Sequence, residues 1–321
     1  TFNKEKVHRI RSVKDIFSPP MLLCRKALDT KRFILKSAIS YQKAVFKDSI
    51  TSIRAYNGNL SILKNISCIG ASKLFSYLAI NTFSSIGIER EQSQNEDKFD
   101  FPYVELSKDS YETFERIYKE QYDAKQKDIV DSVKIQQLDE LIENKYDELN
   151  EEICDTLHMQ EVEKDLINYT LDISMPLITK FNGYKNIFNA IKQDDQQLKE
   201  YAQVYIDRFA NSFNRNGKRF TVEILYSKQV IGMYFKVIDE SMFTDEVVFT
   251  SDNENLLPTI TALTSQKLTD ALFVQKDVRG FEKEYFYIFK PNEKRLWYKA
   301  IAYLDVNEFD DAMLRVGRNR E

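Results

Sequence analysis

Cationic and amide side chains dominate the chemistry available near the start of this chain: Arg25, Lys26, Lys31, Arg32, Lys36, Lys43, Lys47, Arg54 and Asn57, with Arg90 further on. Lysine and arginine hold phosphates irrespective of sequence, while arginine and asparagine can make paired hydrogen bonds to guanine and adenine edges. The spacing assigns phosphate anchoring to Lys31, Arg32, Lys36, Lys43 and Lys47, with Lys26 beside them. Base reading falls to a few of Arg25, Arg54, Asn57 and Arg90. Arg90, in Ile88-Glu89-Arg90, is equally suited to an internal salt bridge. Tyr41, Phe46 and Tyr56 interleave with the cations, where they can stack on bases or fill a core.

Other chemistry is sparse. Asp277 with Glu282 and Lys283 is the best local set for a metal-dependent nuclease, near a predicted hairpin. Glu143 with Lys145 fails, because residues two apart on a helix point to different faces. His8 and His158 are too few for a histidine metal site or a triad, and His158 ends an acidic helix, where a solvated cation is favoured. No glycine-rich phosphate loop and no Cys-x-x-Cys occurs. Cys24, Cys68 and Cys154 are odd in number and far apart, which reads as reduced thiols in the cytoplasm. The predicted site therefore holds no catalytic residue and no metal.

The charge is split along the chain. Residues 1–90 carry 16 Lys/Arg against 5 Asp/Glu, residues 91–200 carry 13 against 27, and the remainder is nearly balanced. A basic patch of this kind is the electrostatic footprint of a nucleic-acid partner. The acidic residues Asp139, Glu140, Glu143, Asp147, Glu148, Glu151 and Glu152 read as a solvated helix face. No apolar run is long enough to span a membrane.

These features predict an α+β chain in three parts: a mixed α/β recognition domain over 1–104, an acidic helical spacer over 105–215, and a small α+β domain over 216–321. Met21–Cys24 and Ala44–Phe46 read as strands, Asn57-Gly58-Asn59 as a turn, and Leu60–Leu78 as one helix. The spacing predicts helices from Asp109 (with Glu112 as a capping pair), over 131–159, over 161–173 up to Pro176, and over 197–213. Arg219–Tyr226 and Val230–Ile238 read as a hairpin. Ala271–Val274 and Tyr285–Phe289 read as a second pair around Arg279-Gly280, before helices over 294–303 and 307–316.

Four runs occur in order: FSPPMLLCRKA from Phe17 to Ala27, FKDSITSIR from Phe46 to Arg54, SKLFSYL from Ser72 to Leu78 and SSIGIER from Ser84 to Arg90. Together they resemble the target-recognition region of bacterial adenine-specific DNA methyltransferases of restriction–modification and related phage-defence systems. Where such regions carry Arg-Gly, Asn-Ser-Lys-Leu and a Trp-Gly-Ile-Glu-Arg-like close, this sequence has Ala27, Ala71 and Ile86 in place of the Gly, Asn and Trp. The resemblance covers about residues 13–100. It implies double-stranded DNA as partner, and a methyltransferase catalytic domain, in cis or in trans, carrying S-adenosylmethionine. The Asn-Pro-Pro-Tyr-like catalytic motif of such a domain is not matched by Ser18-Pro19-Pro20-Met21. The rival expectations are a protein-interaction subunit of a defence complex and the nuclease module described above.

Overall fold

A computed structural model describes residues 17–29, 32–83, 97, 100–107, 109–126, 132–180, 184–250 and 277–318. The chain is α+β, with a three-stranded and a five-stranded sheet. It divides into two compact units, Thr1–Thr179 and Lys180–Glu321. The expected boundary after 104 does not separate compact parts. Cys68, Ile69 and Leu74 from the basic segment share one core with Phe114, Leu149, Ile153 and Ile167 from the acidic one.

In the N-terminal unit, β1 (Met21–Arg25) lies between β2 (Ser37–Ser40) and β3 (Ile50–Ile53), antiparallel to both. β2 and β3 are therefore parallel to each other, and parallel neighbours of one strand need a connection that returns along the sheet. Residues 41–49 make that return without a helix. Most of it faces solvent, and only Ala44 and Phe46 are half-buried. Phe46 packs edge-on against Phe17 at 5.3 Å. The strand expected over 44–46 from its apolar run is not formed: Val45 is exposed, and the segment joins neither sheet among the described residues.

The helix expected over 60–78 is two helices, α1 (Leu60–Gly70) and α2 (Lys73–Thr82). Ser72 breaks it: its Oγ accepts from the Phe75 N–H at 3.1 Å, and Asn150 Oδ1 accepts from the Lys73 N–H at 2.7 Å. Two orphan donors of α2 are thereby satisfied, one of them from a distant helix. Asn59 caps α1, and Gly58 takes the left-handed φ of 66° that the turn needs.

Helices α3 (Asp109–Lys125) and α4 (Ser132–Thr156) pack antiparallel, as contacts Ser110–Glu152, Phe114–Tyr146 and Gln121–Asp139 show by their reversed order. Glu112 pairs with Lys64 of α1, and Glu152 accepts hydrogen bonds from the Ser107 N–H and the Ser110 Oγ where α3 begins. After α4, His158 adopts a left-handed φ of 51°. Helix α5 (Glu161–Tyr169) does not stop before Pro176. It continues through a π-turn over Thr170–Ser174 into Met175–Thr179. The wide turn, with the Met175 N–H reaching the Thr170 carbonyl, loosens the carbonyl row against which a proline ring would otherwise clash.

In the C-terminal unit, α6 (Gln196–Phe213) and α7 (Lys299–Arg318) cover a sheet of order β6-β4-β5-β8-β7. The predicted hairpin is β4 (Lys218–Tyr226) with β5 (Val230–Asp239); β6 is Val247–Thr250 and runs parallel to β4. β7 (Val278–Phe281) contains Arg279-Gly280, so the turn to β8 (Tyr285–Pro291) falls at 282–284 instead. The two predicted closing helices are one, α7, preceded by a short 3-10 turn at Lys294–Leu296. The predicted strand over 271–274 lies outside the described residues. The core is aromatic: Tyr205 stacks on Phe235 at 3.9 Å, Phe235 on Phe286 at 4.7 Å, and Trp297 meets Tyr201 edge-on at 4.9 Å.

Candidate nucleic-acid interface

The cations singled out in the sequence do not form one patch. Arg25, Lys26, Lys36 and Lys47 lie at the end of the small sheet where Cys24 faces Ser37 and Arg25 faces Ile50. Backbone bonds from Arg25 N–H to Lys36 C=O and from Lys26 N–H to Ser49 C=O close that end. Lys43, Arg54 and Asn57 follow the opposite end, where Met21 faces Ser40 and Leu22 faces Ile53. Strands of this length hold the two ends roughly 13 Å apart.

Several of these charges are already matched. Arg32 pairs with Glu143 of α4 and lies 5.7 Å from the Tyr146 ring. Burial alone would lower the Arg32 guanidinium, and Glu143 more than offsets it. Lys36 binds Asp29 at 2.6 Å, and Lys26 binds Asp48 at 3.1 Å. Lys64 and Lys73, from the same basic segment, pair with Glu112 and Asp147. Such exposed pairs add about 0–1 kcal/mol each. Their effect is on the field: the N-terminal unit as a whole carries 25 Lys/Arg against 29 Asp/Glu. The acidic helix face is thus not simply solvated, since Glu143 and Asp147 hold cations of the basic segment. Lys31 and Arg90 lie outside the described residues.

Other cations of the segment are exposed on the two connections that follow β2 and β3. Lys43 and Lys47 are exposed on the return segment and form no ion pair among the described residues. Arg54, Tyr56 and Asn57 are exposed on the turn between β3 and α1, and Tyr56 is fully exposed. Tyr56 thus leaves its whole ring to solvent beside these cations, free to stack on a ligand.

The other titratable clusters are accounted for by packing. No protein-family profile, curated protein or solved structure matches the chain. Its chemistry therefore rests on the residues themselves. Asp277 is held by Arg279, and the length of β7 separates it from Glu282 and Lys283 by roughly 16 Å. The proposed nuclease set is not brought together. Among the described residues no group of three His, Cys, Asp or Glu is placed to hold a metal ion. Met21, where the methyltransferase motif carries its aromatic, is fully buried.

One deeply buried polar cluster went unseen in the sequence. Lys290 of β8 and Asp305 of α7, each 4 % exposed, pair within the C-terminal unit. Asp305 also accepts from Tyr201 Oη at 2.5 Å and from Arg279 at 3.2 Å. Burial pulls the Lys290 ammonium below its ordinary range, with Asp305 opposing, and holds Tyr201 far above its own. Lys290 lies 5.1 Å from the Tyr201 ring and 5.5 Å from Trp297. The Lys290–Asp305 pair is enclosed in the core, and Arg279 links it to the more exposed Asp277 and Glu308.

Proposed function

We propose that the N-terminal unit contacts double-stranded DNA through the return segment 41–49 and the turn 54–59, as the target-recognition portion of an adenine-specific DNA methyltransferase of a restriction–modification or phage-defence system. The observation that carries this reading is the exposed set Lys43, Lys47, Arg54, Tyr56 and Asn57, taken with the resemblance of the runs from Phe17 to Arg54. Lys43 and Lys47 hold phosphates about 13 Å apart along an extended segment. Tyr56 stacks on or wedges against a base step, and Asn57 reads an adenine edge. Arg32, Lys36 and Lys26, bound to Glu143, Asp29 and Asp48, serve the fold first. Methyl transfer belongs to a catalytic domain in cis or in trans with S-adenosylmethionine. The segment Ser18–Met21 does not fit that role, because Met21 is locked in the core.

Fluorescence anisotropy of the full chain with a labelled duplex at low salt tests the reading. Lys43→Ala with Lys47→Ala weakens binding to any duplex by about tenfold or more. Tyr56→Ala weakens it without changing the unfolding midpoint, since the ring packs on nothing. A parent chain with no duplex affinity, or variants that bind as tightly as the parent, overturns it.

A further inference from the structure

The N-terminal unit holds a cavity of about 430 Å³ between the outer edge of β2 and helices α1, α3 and α4. None of its lining residues belongs to the segments proposed to meet DNA. The volume lies within the range of small-molecule sites, about 300–1,000 Å³. The helices contribute a group of rings, Tyr111, Phe114 and Tyr118 of α3 with Tyr146 of α4; β2 and the residues just before it contribute Leu35, Ala38 and Ile39, with Lys36 and Ser37 between them.

The polar groups on this lining are mostly satisfied by one another. Ser37 Oγ and Ser67 Oγ are 2.9 Å apart, Tyr118 Oη and Tyr146 Oη are 3.0 Å apart, and Tyr111 Oη accepts from the Ile39 N–H at 3.2 Å. Burial keeps the Tyr111 phenol and the Cys68 thiol uncharged, each pushed up to about 12. Of the two charged lining residues, Lys36 is bound to Asp29. Glu115 is exposed and forms no ion pair among the described residues. Tyr118, also exposed, marks the mouth beside it.

An apolar slot lined by aromatic side chains, with an exposed carboxylate at Glu115 that binds no cation directly among the described residues, selects for a flat ring system and for positive charge. Ring faces attract cations as well as flat rings, and the carboxylate repels acids. We infer that this cavity binds a small aromatic amine, with its ring between the tyrosine wall and the β2 side chains and its ammonium at Glu115.

Calorimetric titration of the full chain with tryptamine, tryptophol and indole-3-acetate tests this: one ring system with a cation, a neutral hydroxyl and an anion. Tryptamine is expected to bind one per chain, more tightly than the neutral alcohol and at least about tenfold more tightly than the acid. Glu115→Gln reduces tryptamine affinity about fivefold and leaves tryptophol unchanged. Ala38→Trp, at an exposed lining position, abolishes binding of both. Both variants change exposed residues, and unchanged thermal unfolding confirms their fold. Absence of saturable tryptamine binding at millimolar concentration overturns the inference. So do equal affinity for the three probes and binding that survives Ala38→Trp.

Discussion

Replacing Asp305 by asparagine removes one charge from the most enclosed ion pair in the C-terminal unit and leaves its shape almost unchanged. The Lys290 ammonium, 4 % exposed, then has no buried counter-charge in direct contact. Breaking a buried pair in this way costs about 3–5 kcal/mol, because the remaining ion is left desolvated. With a urea m-value of about 2 kcal/mol/M, the midpoint of the unit falls by about 2 M. Trp297 is the sole tryptophan, is fully buried and lies 5.5 Å from Lys290, so its fluorescence reports this unit in the full chain. Adding Lys290→Met recovers most of the loss, since the asparagine still accepts from Tyr201 and no lone charge remains. The pH dependence has a defined sign. Because burial holds the folded Lys290 below its ordinary 10.5, the penalty is fully present below that depressed value and is relieved as pH rises from there towards 10.5. The Asp305→Asn deficit therefore shrinks with rising pH up to about 10, above which Tyr201, raised by burial, lowers the stability of parent and variant alike. A midpoint shift under about 0.5 M, or a double variant no more stable than Asp305→Asn, refutes the reasoning.

Two further outcomes follow from packing. Gly232→Ala places a Cβ 2.2 Å from a ring carbon of Phe289, which faces it across β5 and β8 and is only 2 % exposed, so the variant loses about 1–3 kcal/mol in the same urea assay; a neutral effect would show that the ring can move aside. A fragment ending at residue 104 lacks Phe114, Leu149, Ile153 and Ile167 from its core and should show no cooperative thermal unfolding by circular dichroism, whereas a fragment over 1–179 should.

Elements with a strong period were legible in the sequence: α3, α4 and α6 by their apolar stripes, the β4–β5 hairpin by alternation, and β1 by its apolar run. β2 and β3 were not, because Ser-Ala-Ile-Ser and Ile-Thr-Ser-Ile are too short and polar to stand out, and only pairing with β1 makes them strands. The break at Ser72 depends partly on Asn150, 77 residues away along the chain from Lys73. Charge misled most. Counting along the chain separates Arg32 from Glu143 by 111 positions, yet the fold makes them neighbours, so a segmental surplus did not become a surface field. Of the predicted interface, Lys43, Lys47, Arg54 and Asn57 are exposed, while Lys26, Arg32 and Lys36 are bound to carboxylates. That the tyrosines of α3 line a cavity depends on where β2 passes them, which no local pattern records.

The carboxylates of α4 that hold Arg32 and Lys73 have a thermodynamic consequence for any phosphate that approaches. A phosphate taking those cations would exchange one anion for another and release few mobile counterions. The salt dependence of binding would then count the uncommitted lysines alone. With Lys43 and Lys47 as the anchors, log K against log salt should have a slope of about −2, far shallower than the sixteen cations of the basic segment would suggest. The acidic helices would act as a built-in ion exchanger, trading electrostatic grip for tolerance of ionic strength.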